Sequence, residues 1–159
     1  MSNRSVNQAQ FASRNNFVTK SDLESASGRF RRAKEALGAA KKLSARSDQL
    51  VASAVQAAYE QYPRIAGEKA ESTFSDEEKE DFSRKISELM RLVEYCLIVD
   101  GSEPMDDFLS GRREYYHALG HSISRYVAAL NHIKNIHGLD RTEALETNSY
   151  IDYLIRGIS

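Results

Sequence analysis

Only two prolines, Pro63 and Pro104, interrupt this chain, and the stretches between them are rich in Ala, Leu, Glu, Lys and Arg. Nothing local therefore forbids long helices, and no stretch shows the alternation that a half-buried strand would need. Ser21 and Glu24 have capping-box spacing, and Leu23, Phe30, Ala33, Leu37, Ala40 and Leu43 then recur at helical intervals. A second helix is predicted over 47 to 61, with Leu50, Ala54, Val55 and Tyr59 on one face and Pro63 beyond its end. Residues 63 to 75 lack a period and read as a loop. Ser75 and Glu78 form a second capping box, and Phe82, Ile86, Leu89, Met90, Val93, Cys96 and Leu97 mark the strongest helical face, ended by Asp100-Gly101. Pro104 suits the start of a short helix carrying Met105, Phe108 and Leu109, and Gly111 and Gly120 bracket another with Tyr115, Tyr116 and Leu119. A helix over about 124 to 137 should bury Ile123, Tyr126, Val127, Leu130 and Ile133 before Gly138. The last, from about 142, carries Leu145, Tyr150, Tyr153 and Leu154. Helices this unequal in length suggest an all-α, globin-like assembly rather than a matched four-helix bundle.

At 159 residues, with 41% hydrophobic and 28% charged residues, the chain fits one domain, 1–159, and excludes a disordered tail, a collagen-like repeat and a disulfide scaffold. No apolar run is long enough for membrane insertion, and MSNRSVNQAQ is too polar for a secretory signal, so a soluble, cytoplasmic protein is expected. Residues 2 to 18 are polar apart from Val6, Phe11 and Phe17. Such a segment makes a poor core element and is expected to pack on another chain as an N-terminal extension, 1–18.

The net charge of −1 gives no reason to expect nucleic acid, but the charge is unevenly placed. Residues 1 to 46 hold ten Lys and Arg against three acids, whereas 68 to 81 hold seven acids against two lysines. Two such regions would steer a partner of mixed charge, or serve only as solvated faces. No GxSxG, HExxH or glycine-rich phosphate loop is present. The four histidines, His117, His121, His132 and His137, read as surface or capping residues, with a haem ligand the less favoured alternative. Cys96, the one cysteine, excludes an internal disulfide and a multi-cysteine zinc site.

Four segments carry a family resemblance: Gly28-Arg29-Phe30-Arg31-Arg32-Ala33-Lys34, Leu92-Val93-Glu94-Tyr95-Cys96-Leu97-Ile98, Gly101-Ser102-Glu103-Pro104-Met105-Asp106 and Asn148-Ser149-Tyr150-Ile151-Asp152-Tyr153. In that order they resemble the phycobiliproteins of cyanobacteria. The stretch Asn135-Ile136-His137-Gly138-Leu139 and the C-terminal serine look most like the phycocyanin α subunit. The resemblance implies a globin-like fold with N-terminal helices packed on a β-type phycobiliprotein partner. It also implies rings of αβ units held by linker proteins, in a phycobilisome on the cytoplasmic face of the thylakoid.

The departures from the family pattern concern the pigment. Pigmented members carry Cys-x-Arg-Asp near the start of the long helix; alignment on Tyr95-Cys96-Leu97 puts Phe82-Ser83-Arg84-Lys85 there. A phenyl ring forms no thioether, and the ammonium of Lys85 would repel a protonated bilin where the family has a carboxylate. Where the phycocyanin α subunit has Ser-Trp-Tyr, this chain has Ser124-Arg125-Tyr126, which halves an aromatic wall. The acidic loop leading into the site would also face the bilin's propionates. Cys96 matches a different family cysteine and reads as a small buried hydrophobe. No covalent bilin is therefore expected. Arg84, Lys85, Tyr126 and Arg125 are the residual pocket residues, and Arg84 and Tyr126 are the ones that would serve a tetrapyrrole held without a bond.

The family's αβ contact pairs an Asp in the N-terminal segment of each subunit with an Arg on the long helix of the other. Arg91 matches that Arg, whereas Ala12 stands where the Asp would be. Arg91, Phe11 and Phe17 are thus the expected interface residues. Three functions follow as expectations: an unpigmented α-type interaction subunit with a structural, capping or regulatory role; a module binding a bilin or haem non-covalently; and, least supported, an enzyme handling bilins, for which no nucleophile or base stands out.

Overall fold

The computed structural model describes residues 18–63 and 75–159, except for the side chain of His121. Phe11, Phe17 and most of the expected extension lie outside the described residues. The chain divides into two compact units, 1–34 and 35–159. Among the described residues every regular element is helical: α1 (Lys20–Ala45), α2 (Ser47–Gln61), α3 (Asp76–Val99), α4 (Glu103–Ala118), α5 (Ile123–Ile136) and α6 (Arg141–Ile158), with a 3₁₀ turn at Gly120–Ser122.

Local chemistry explains both ends of α3 and the starts of α1 and α6. The α3 capping box forms as its spacing requires: Glu78 N donates to Ser75 Oγ at 3.1 Å, and Ser75 N donates to Glu78 Oε2 at 2.9 Å. At the other end Asp100 takes the left-handed conformation, φ 54°, and its N–H closes on Cys96 O. Helix α6 starts at Asp140, whose Oδ1 accepts from Glu143 N at 2.9 Å. The cap of α1 differs from the expectation. Thr19 and Asp22, not Ser21 and Glu24, exchange the reciprocal bonds, Asp22 N to Thr19 Oγ1 at 3.0 Å and Thr19 N to Asp22 Oδ2 at 2.9 Å. The shorter aspartate side chain still reaches the Thr19 N–H, and the helix starts two residues earlier.

In the unit 35–159 the most extensive helix packing is between α2 and α5, followed by α2 with α3. Close approach is possible because Ala54, Ala58 and Ala129 are fully buried and present no bulk. Ile86, Leu89, Val93 and Cys96 from α3, Met105 from α4, Leu130 and Ile133 from α5, and Ile151 and Leu154 from α6 complete a core with no solvent exposure. The connection between α5 and α6 is pinned from α1 and α2's junction: Arg46 Nη1 donates to His137 O at 2.7 Å. Lys42 Nζ reaches both carboxylate oxygens of buried Glu143, at 2.8 and 2.9 Å.

Four expectations about elements are corrected. The two short helices around Gly111 are one, α4, because Gly111 is exposed and costs only the ~1 kcal/mol of a mid-helix glycine. Leu23, Phe30 and Leu37 of α1 are exposed, Phe30 at 77%, and the buried stripe of α1 is Ala36, Ala39, Ala40 and Leu43. Leu145 is 68% exposed while Thr147, two residues on, is fully buried. His137 is buried rather than a surface cap: its Nδ1 accepts from Leu139 N at 3.1 Å, so Nε2 carries the proton and donates to Asn148 Oδ1 at 2.9 Å.

Thr147 Oγ1 is buried with no hydrogen-bond partner among the described residues. Replacing the hydroxyl by a methyl group removes an unmet polar atom without changing the volume much. Thr147→Val should raise the stability to urea by about 1 kcal/mol, within the ~1–3 kcal/mol that an unsatisfied buried group costs; a loss of stability would show that the hydroxyl is satisfied in solution.

Candidate functional site

The residues singled out in sequence lie along the N-terminal half of α3 and on the elements facing it. Phe82 is 7% exposed, one turn and a half into α3. Its ring is packed edge to face against Tyr59 of α2 at 5.6 Å and Tyr126 of α5 at 5.0 Å between centroids. Tyr116 of α4 continues the series, 5.9 Å from Tyr126. The position at which the family resemblance places a thiol is thus the centre of an aromatic cluster. Cys96 is fully buried farther along α3, where burial pushes its thiol above the usual range.

Arg84 and Lys85 both turn to Asp81, at 2.8 and 3.0 Å. Asp81 is held below the ordinary carboxylate range, first by its hydrogen bond with Lys85. Lys85 Nζ also donates to the Tyr115 hydroxyl and lies 5.1 Å from that ring's centroid. These bonds, the one to Tyr115 foremost, raise its pKa. The ammonium is stabilised by partners on α3 and α4. The phenols of Tyr116 and Tyr126 are shifted upward by burial, Tyr116 to about 12, so both stay neutral hydrogen-bonding groups at physiological pH.

Arg125, where the sequence suggested half of an aromatic wall, is buried. Its Nε donates to Tyr62 O at 3.0 Å and its guanidinium lies 5.5 Å from the Tyr59 centroid. It secures the end of α2 as well as the aromatic cluster. The four residual pocket residues are therefore drawn into two groups, Arg84 with Lys85 at Asp81, and Arg125 and Tyr126 on opposite sides of the Tyr59–Phe82 pair. Two surface clefts flank α3, one of about 470 Å³ bordered by Tyr59, Lys79 and Ser83, the other of about 310 Å³ bordered by Glu80, Ser83 and Arg84. Of the four, only Arg84 borders either.

Arg91 stands on the outer face of α3 and is exposed, in line with exposed Tyr95 and Ile98. Sequence reasoning missed Glu94 beside them. Its Oε1 is buried without a hydrogen-bond partner among the described residues, and burial raises its carboxyl pKa against the opposing field of Arg91. Its place one turn after Met90 and one before Leu97 was a signal that it borders the core.

A model of the phycobilisome protein family matches residues 6–158. The α subunit of C-phycoerythrin class 2 from Synechococcus sp. (strain WH8103) is 34% identical over 158 residues, covering 96% of this chain and 94% of that protein. The phycoerythrocyanin α chain of Nostoc sp. (strain PCC 7120 / SAG 25.82 / UTEX 2576) is 33% identical over 150 residues, covering 92% and 91%. The C-phycoerythrin α chain of Microchaete diplosiphon is 36% identical over 148 residues, covering 90% of each.

Two outcomes test this geometry. Phe82→Ala should cost about 3–5 kcal/mol in denaturant unfolding, since it empties the middle of the ring cluster. Glu94 has a folded-state pKa above its ordinary value, so its contribution is most favourable below the ordinary glutamate range and is lost as pH rises through the folded pKa. Glu94→Gln should therefore raise the melting temperature of the isolated chain at pH 7, with the gain vanishing on acidification; a gain that persists in acid would point away from ionisation.

Proposed function

Because the chain belongs to the phycobilisome protein family, matched over residues 6–158, we propose that it is an α-type subunit that works without covalent pigment. It pairs with a β-type phycobiliprotein and serves a structural, capping or regulatory role, not an enzymatic one, with linker proteins as further contacts in the phycobilisome at the thylakoid's cytoplasmic face. The observation that carries this reading is the buried ring of Phe82, edge-on to Tyr59 and Tyr126, at the place the resemblance gives to the attachment thiol. A thioether-linked bilin does not suit the residues there: a phenyl ring offers no sulfur, and Lys85, at the position that the resemblance gives to the family's carboxylate, is bonded to Asp81 and Tyr115. Pairing is supported by apolar side chains left in water, Leu23, Phe30 and Leu37 at seven-residue steps on α1, and Tyr95 and Ile98 beside Arg91 on α3.

The test is purification from a host that makes haem, bilin and a β-type subunit. The chain should co-purify with the β subunit and show no zinc-enhanced fluorescence after denaturation. Colour that survives denaturation would overturn the unpigmented reading, and colour lost on denaturation would indicate a non-covalent tetrapyrrole. Phe82→Cys with Lys85→Asp should restore part of the attachment when a bilin lyase is supplied. Arg91→Ala should weaken the pairing by about 2 kcal/mol or more, because its removal would strand a partner's carboxylate, while the monomer's melting temperature falls only slightly, since the side chain is exposed and its one effect in the single chain is the field it exerts on Glu94. Pairing as tight as the parent's would place the interface elsewhere.

A further inference from the structure

A cleft of about 520 Å³ between α4 and α6 plays no part in the site above. Ser110 and Arg113 wall it from α4, Tyr153 and Arg156 from α6, and Leu109 and Gly157 form its floor. Gly157 lies close against Leu109: a Cβ there would stand 2.3 Å from Leu109 Cδ1, so a larger residue would have to displace that side chain. At one end the Tyr153 hydroxyl donates to Asp106 Oδ1, and Ser102 Oγ donates to Asp106 Oδ2 at 3.0 Å. Both oxygens of the cleft's one carboxylate are thereby engaged. Neither Arg113 nor Arg156 forms an ion pair among the described residues, and both are exposed.

We propose that this cleft docks an acidic polypeptide segment of a partner, one carboxylate on Arg113 and another on Arg156. Guanidinium groups bind carboxylates in a planar, two-pronged geometry, and two of them on separate helices suit separated charges better than one compact dianion. The polar residues of the cleft, Asp106, Ser110, Arg113, Tyr153 and Arg156, are all exposed. Such a site suits a chain segment laid across it, with side-chain methylenes over Leu109, better than a small molecule needing enclosure.

The test titrates the full chain at low ionic strength with a fluorescein-labelled decapeptide of alternating glutamate and serine, read by anisotropy. Saturable binding is expected, absent for the glutamine–serine counterpart. Arg113→Gln with Arg156→Gln should raise Kd roughly tenfold or more, whereas Arg29→Gln with Arg32→Gln, on the basic face of α1, should leave it unchanged. Ser110→Tyr, which fills the cleft without altering charge, should weaken binding too. Equal losses from the α4–α6 and α1 pairs would reduce the effect to net charge. Indifference to the α4–α6 pair, or displacement by glutarate at concentrations like the peptide's own, would overturn the proposal.

Discussion

Four helices meet at one line of aromatic rings. Tyr59 from α2, Phe82 from α3, Tyr126 from α5 and Tyr116 from α4 stand edge to face in sequence, at 5.6, 5.0 and 5.9 Å. Each contact contributes about 0.5–1.5 kcal/mol beyond the area it buries. Their effect on geometry exceeds that sum, because an edge-to-face chain fixes ring orientation as well as distance. Phe82 is its hinge: a smaller residue there would separate Tyr59 from Tyr126. Its ring is buried and fills the space between those two tyrosines.

That arrangement changes what the neighbouring cations do. Lys85 and Arg84 sit on Asp81, and Arg125 binds the carbonyl of Tyr62 and the face of Tyr59. Here three cations are spent on the protein's own oxygens and π-faces. Phe82, Lys85 and Arg125 are thus each held by partners within the chain.

What sequence could reveal depended on how local the cause was. The α3 capping box, its apolar face and the stop at Asp100 are set by residues within a turn of one another, and they were legible. The merger of two expected helices into α4 was not, because the penalty of an exposed glycine is small and the neighbouring turns outweigh it. Arg125 shows the other limit: its partner is a backbone carbonyl 63 residues away, and nothing in a window around Ser124-Arg125-Tyr126 announces it. His137 likewise looked like a helix-end cation, while its burial depends on Asn148 in the next helix. The family resemblance draws attention to Phe82 and Lys85, but their contacts with Tyr59, Tyr126, Asp81 and Tyr115 are visible only in the fold.

The outer face of α3 poses the remaining physical question. Inside, the helix is complete: Ile86, Leu89, Val93 and Cys96 have no exposure. Outside, Tyr95 and Ile98 face water, and one oxygen of Glu94 is removed from water without receiving a proton donor from any of the described residues. A single chain gains nothing from that oxygen's position, since the cost of desolvation is met by no bond. A donor supplied across an interface would satisfy it, and covering the two apolar side chains would contribute at the same time. Arg91, a turn away on the same surface, would then sit at the rim or core of that contact, where the surrounding apolar area decides how strongly its charge is felt. The unmet needs of this face are all of the kind that one docked chain removes together, which is why an exposed stripe and an orphaned carboxylate oxygen, weak signals separately, argue for a subunit that works in company.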